Sequence, residues 1–164
     1  MNSEENLLED IMYRFIATVA VMLPDDVQSK LLEIASKEKS HYGRIIYDAV
    51  VRNNELAIKK KLPLCQDTGI PEFHVAMGES FRHKEELLTA IRKAVIRATR
   101  QGYLRPNSVD PVLNKNTGDN TGRILPWIDI ELVPRSDEAV VQLYLAGGGS
   151  TRVSKAIVID PADG

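Results

Sequence analysis

Leu7, Leu8, Ile11, Met12, Phe15, Val19 and Met22 recur at intervals of three and four, the spacing that gathers apolar side chains on one stripe of a helix. A first helix is therefore predicted from Ser3, with Glu4 and Glu5 complementing the dipole of its first turn, to the stop at Leu23-Pro24. Val27, Leu31, Leu32 and Ile34 repeat the pattern to about Lys37. Ile45, Ile46, Ala49, Val50, Leu56 and Ile58 carry it through a third helix over Ser40 to Lys61, whose closing lysines suit a helix C-terminus. Leu87, Leu88, Ile91, Ala94, Val95 and Ala98 predict a fourth helix over 83–101, with Lys84, Arg92, Lys93, Arg97 and Arg100 facing solvent and Gly102 at the cap. Each of these stripes is expected to pack inward.

Between and after these helices the period shortens to two. Phe73, Val75 and Met77 alternate with Glu72, His74 and Ala76, which reads as a strand with His74 turned away from the apolar face. Ile128, Ile130 and Leu132 alternate with Asp129 and Glu131; Val141, Leu143 and Leu145 alternate with Gln142 and Tyr144. The turn residues Pro134 to Asp137 lie between these two runs, so they are expected to form an antiparallel hairpin, with a further short strand at Ala156 to Ile159. The predicted class is α+β: a helical N-terminal half followed by a mainly antiparallel sheet.

With 164 residues and 43% hydrophobic content, one domain over 1–164 has apolar material for a single core. One cysteine cannot form an intrachain disulfide, which fits a reducing, cytoplasmic setting. The net charge of −2, with acidic and basic residues interleaved, offers no field for nucleic acid, and the apolar run Phe15–Leu23 is too short to span a bilayer.

Three segments escape both periodicities. Leu62 to Pro71 holds the single cysteine, Cys65, beside Gln66 and Asp67, with prolines on both flanks and Gly69 free to turn. A lone cysteine is commonly a small buried hydrophobe, whereas a carboxylate next to it would then need its own partner, so the residues by themselves leave a core role and a chemical site both open. The second segment, 102–122, contains Arg105, Pro106, Pro111 and the run Asn116-Thr117-Gly118-Asp119-Asn120-Thr121, whose short polar side chains bond their own backbone. It is expected to be an ordered functional loop presenting N–H groups to an anion, with Arg105 able to grip a carboxylate. The third, Gly147-Gly148-Gly149-Ser150, removes every side chain over three residues and permits close approach to the backbone.

In this order the three loops resemble the N-terminal part of the class I iron–sulfur fumarases and the α subunits of L-tartrate dehydratase. The Lys-Leu-Pro-Leu lead-in, Leu104-Arg105-Pro106 and the Asp160-to-Gly164 ending extend the likeness over nearly the whole chain. The resemblance implies that Cys65 is one of three thiolate ligands to a [4Fe–4S] cluster. It also implies that Gln66 and Asp67 contact substrate, Asp67 carrying a proton, and that Arg105, Asn116, Thr117, Gly118, Asp119 and Asn120 hold a dicarboxylate, with Gly148 and Gly149 adding backbone N–H groups. The implied activity is reversible hydration and dehydration of a small dicarboxylate, fumarate/malate or tartrate/oxaloacetate. Its implied partners are a C-terminal part, a β subunit or domain, and further copies in a homo- or hetero-oligomer.

Only one of the three cysteines is present, so the chain is expected to be incomplete as an enzyme and inactive by itself. Ala146 and Thr151-Arg152 also depart from the family's pattern around the glycines. One alternative is therefore a diverged binding or assembly module of the same fold. Another is a thiol enzyme that uses Cys65 as nucleophile with His41, His74 or His83 as base.

Overall fold

The computed structural model describes residues 3–110 and 112–149. The strand expected at Ala156–Ile159, the ending at Asp160–Gly164, and Pro111, Ser150 and Thr151-Arg152 lie outside the described residues. Four helices form as the periodicity predicts: α1 (Ser3–Val21), α2 (Asp25–Lys37), α3 (His41–Lys60) and α4 (Lys84–Arg100). Ser40 caps α3 by accepting a hydrogen bond from the Gly43 N–H, and Gly102 continues the chain beyond α4 at a left-handed φ of 82°. The strands are β1 (Ile70–Gly78), β2 (Val109–Asp110), β3 (Lys115–Asn116), β4 (Trp127–Val133) and β5 (Ala139–Ala146). No described helix is long and apolar enough to cross a membrane.

The main sheet has the order β4-β1-β5, with β1 parallel to β4 and antiparallel to β5, while β2 and β3 form a small antiparallel ribbon. The hairpin expected between the last two strand runs does not form, and the sheet is mixed. β1 lies between them, and flanked on both sides it has the most completely buried face: Phe73, Val75 and Met77 are at most 3% exposed. Phe73 stands between Ile128 and Leu143, Val75 between Ile130 and Val141, and Met77 between Leu132 and Ala139. The connection from β4 to β5 crosses the end of β1 at Gly78, whose N–H donates to the Glu138 carbonyl at 2.8 Å. A Cβ there would strike the Ser136 backbone, so glycine permits the crossing.

The core joins this sheet face to α1 and α4 through Met12, Ile16, Leu87, Ile91, Ala94, Val95, Ala98 and Leu104. The buried stripe of α1 is Met12, Ile16 and Ala20, whereas Leu7, Ile11 and Met22 of the expected stripe stay exposed. Two cations of α4 face α1 instead of open solvent: Lys93 pairs with Glu5, and Arg97 pairs with Asp10 and lies 3.9 Å over the Tyr13 ring.

A larger departure concerns α2 and α3. No α2 residue is buried, and α3 buries only Asn54 and Ala57. Ile45, Ile46, Val50, Leu56 and Ile58, all expected inward, are exposed. Amphipathic spacing identifies a face that favours cover, but it carries no information about which surface supplies that cover.

Candidate functional site

Loop A, residues 62–69, is fixed at both ends before its chemical groups appear. Upstream of Cys65, the Leu64 N–H donates to the Ala20 carbonyl at the end of α1 (2.9 Å), and the Leu64 carbonyl accepts from Asn53 Nδ2 of α3 (2.8 Å). Downstream, Gly69 adopts φ 79° and presses against the end of β5, where a Cβ would come within 2.7 Å of the Leu145 and Ala146 backbone. Pro71, expected to close the loop, is instead buried in β1, one residue before β4 joins at Glu72. Between these anchors Cys65, Gln66 and Asp67 are exposed and Thr68 is buried.

The Asp67 carboxylate gathers the three special segments. Its Oδ1 accepts from the Gly69 N–H and from Asn107 Nδ2, each at 3.1 Å; its Oδ2 accepts from the N–H groups of Gly148 at 2.9 Å and Gly149 at 3.3 Å. Four donors match the four lone-pair directions of an ionised carboxylate. The loop bearing Cys65, the loop bearing Arg105 and the glycine loop therefore meet at one side chain. Beside it lies a cleft of about 830 Å³, lined by Asp67, Glu72, Pro106, Asn107, Asn116 and Gly148 among others.

Residues 103–122 are ordered by side chains that bond backbone. Asp110 Oδ1 accepts from the Val112 and Leu113 N–H groups, both at 2.8 Å; these bonds, Leu113 first, hold its carboxyl below the usual aspartate range. Asn116 Oδ1 accepts from the Gly118 N–H, the Thr117 N–H donates to the Ser108 carbonyl, and Asp119 Oδ1 accepts from both the N–H and the hydroxyl of Thr121. The N–H groups expected to face an anion at 117, 118 and 121 are therefore engaged within the loop. Of this run, Asn116 reaches the cleft wall.

Asn120 is fully buried at a left-handed φ of 61°, and its amide is fully used. Its oxygen accepts from the Asn107 N–H, the Ser108 N–H and the Ser108 hydroxyl; its nitrogen donates to Thr99 Oγ1 at 3.0 Å and to the Arg105 carbonyl at 2.7 Å. Asn120 thus has no polar atom left for a ligand and acts as an internal brace. Arg105 is exposed, and its N–H donates to Thr68 Oγ1 at 2.8 Å.

Asn107, Thr68 and Glu72 were missed as site residues by sequence reasoning. Asn107 follows Arg105-Pro106 directly, which was the available signal; Glu72 looked like an ordinary polar strand position, and the contact that singles out Thr68 spans 37 residues. The histidines face other partners. His74 Nδ1 lies 2.8 Å from Asp129 and its Nε2 3.5 Å from Glu131, His83 lies 3.5 Å from Glu4, and His41 meets the Tyr42 ring edge-on. None is paired with Cys65, which removes the geometric basis for a histidine-activated thiol.

Cys65 is the chain's single sulfur ligand of the thiolate type, and among the described residues no group of three or more His, Cys, Asp or Glu is arranged to hold a metal ion. An iron–sulfur cluster is held by several thiolates, so these residues fit one corner of such a group and no more.

The family model for fumarate hydratase (Fumerase) matches residues 9–164. The chain belongs to that family. The L(+)-tartrate dehydratase subunit alpha of Escherichia coli (strain K12) is 38% identical over 159 residues, covering 97% of this chain and 52% of that protein. The putative L(+)-tartrate dehydratase subunit alpha of Methanocaldococcus jannaschii is 31% identical over 160 residues, covering 96% of this chain and 56% of that protein. The chain thus spans about half the length of the curated relatives it matches.

Proposed function

We propose that this chain is the N-terminal part of a hydro-lyase that adds water to, or removes it from, a small dicarboxylate of the fumarate or tartrate type. The observation that carries the reading is the convergence of three separate loops on the Asp67 carboxylate beside one open cleft. The names of the alpha-subunit relatives support the reaction class and suggest a second subunit as partner.

Cys65 would hold one corner of a [4Fe–4S] cluster whose other sulfurs come from outside these 164 residues. When bound, such a cluster supplies Lewis acidity toward a substrate hydroxyl. The chain's own residues bind and orient. Arg105 offers a planar pair of donors to one substrate carboxylate and Gln66 presents its amide at the exposed edge of its loop, while the Asn116 amide at the cleft wall already accepts from the Gly118 N–H and donates to the Pro106 carbonyl. Asp67 holds the three loops in register and is placed to carry a proton on Oδ2. The longest of its four bonds, from the Gly149 N–H at 3.3 Å, is the one that yields when Oδ2 does so. Gly148 and Gly149 act through their N–H groups, and their present partner is Asp67 itself. The single unpaired cysteine fits a cytoplasmic setting.

The test is assembly of the chain with the polypeptide that supplies the remaining thiolates, followed by anaerobic reconstitution with iron and sulfide. A brown protein with dehydratase activity is expected, and Cys65→Ser should lower its iron content and bleach it. Full cluster content in the serine variant would refute the ligand assignment. No iron uptake with any partner would favour a binding module of the same fold, which the single cysteine also allows.

A further inference from the structure

The Arg105 peptide groups are held from both sides by buried side chains, one from loop A and one from the far end of its own loop. Its N–H donates to Thr68 Oγ1, and its carbonyl accepts from Asn120 Nδ2 and from the Asn107 N–H, all within 2.8 Å. Thr68 is 7% exposed and Asn120 fully buried. Pro106 follows, which restricts the Arg105 backbone further. Asn120 is anchored to α4 through Thr99 and keeps a left-handed backbone that asparagine tolerates better than most residues. An arginine whose only contact is solvent needs no such restraint. One that must present its guanidinium edge-on to a planar carboxylate does, because two parallel hydrogen bonds tolerate little misplacement.

We infer that Thr68 and Asn120 are positioning residues that aim Arg105 at a substrate carboxylate, an inference that rests on the reading of Arg105 as the carboxylate grip. Thr68 adjoins Asp67 and lies three residues after Cys65. Its hydroxyl therefore ties the Arg105 backbone directly to the thiol loop, beside the second tie from Asn107 Nδ2 to Asp67 Oδ1.

The experiment uses the complete enzyme, with the chain joined to its completing polypeptide. Two signals are read: the dissociation constant of succinate, a diacid with no water to lose, by calorimetry, and kcat and KM on L-tartrate and fumarate. Arg105→Met sets the reference. Thr68→Val keeps shape but removes the acceptor, and Asn120→Asp keeps the oxygen that accepts from Asn107 and Ser108 while turning the other end of the side chain against the Arg105 carbonyl. Each is expected to weaken succinate binding and raise KM about tenfold with kcat within about threefold, as misaimed binding requires. Thr68→Ser should restore wild-type values.

In an Arg105→Met background neither change should weaken binding further. A full additional loss in that background, or a fall in kcat at constant KM, would overturn the inference, because the braces would then act on the fold at large. Should either variant fail to fold, the other gives the same reading from the opposite side of the peptide. Unchanged succinate binding in Arg105→Met alone would instead refute the grip on which the inference rests.

Discussion

Replacing Gly69 by alanine tests how closely loop A is pressed against the sheet. At φ 79° an L-residue incurs about 1–2 kcal/mol of backbone strain, partly offset by about 0.4–1 kcal/mol from the less flexible unfolded chain. The same two effects act at Gly102, where φ is 82° and an added Cβ would meet nothing within 4 Å. At Gly69, however, the new methyl would lie 2.7 Å from backbone carbons of Leu145 and Ala146, atoms that can move only if β5 or the loop moves. Overpacking of this kind costs about 1–3 kcal/mol more. Gly102→Ala should therefore lower stability by at most about 1–2 kcal/mol, and Gly69→Ala by about 2–4 kcal/mol. Urea unfolding of both variants beside the wild type, with Trp127 as fluorescent probe, measures the difference. Hydrogen exchange at Gly148 and Gly149 should rise in the Gly69 variant alone, since displacing the loop carries Asp67 away from their N–H groups. Equal destabilisation by the two substitutions would refute the close approach as the reason for glycine at 69.

Asp67→Ala should release the glycine loop, whereas Asp67→Asn should release it only in part, because its amide oxygen can still accept from the Gly148 and Gly149 N–H groups while its nitrogen faces Gly69 and Asn107; exchange at 148–149 checks this. Phe73→Ala, at the centre of the buried sheet face, should cost about 3–5 kcal/mol in urea unfolding, whereas Ile46→Ala on exposed α3 should cost well under about 1 kcal/mol. The Asp110 carboxyl has a folded value below its unfolded one. Its contribution is thus present above the unfolded aspartate range and lost as pH falls through the folded value, so the Val112 and Leu113 amides should lose protection there and Asp110→Asn should weaken that pH dependence. The exposed Cys65 thiol should take up one equivalent of Ellman's reagent in the native chain without prior unfolding.

Local pattern alone determined much of this protein. The four helices and the three longer strands of the main sheet follow from periods of about 3.6 and 2, because each depends on which neighbours along the chain share a face. The three loops around Cys65, Arg105 and Gly148 could be found the same way, as the places where neither period holds. Tertiary structure decided which strands pair. The mixed order β4-β1-β5 pairs residues more than fifty positions apart, such as Phe73 with Ile128 and Leu143, and no local period reports such a pairing. It also decided which members of the loops face the cleft. Asn120 and Asn116 look alike in sequence, yet one is sealed in the interior bracing Arg105 and the other lines the cleft, because burial is set by what folds over a residue and not by the residue itself. Asp67 could be read as a carboxylate beside a thiol; that it receives donors from residues 40 and 81 positions away could not, since hydrogen bonds over such distances exist only once the core has brought the loops together.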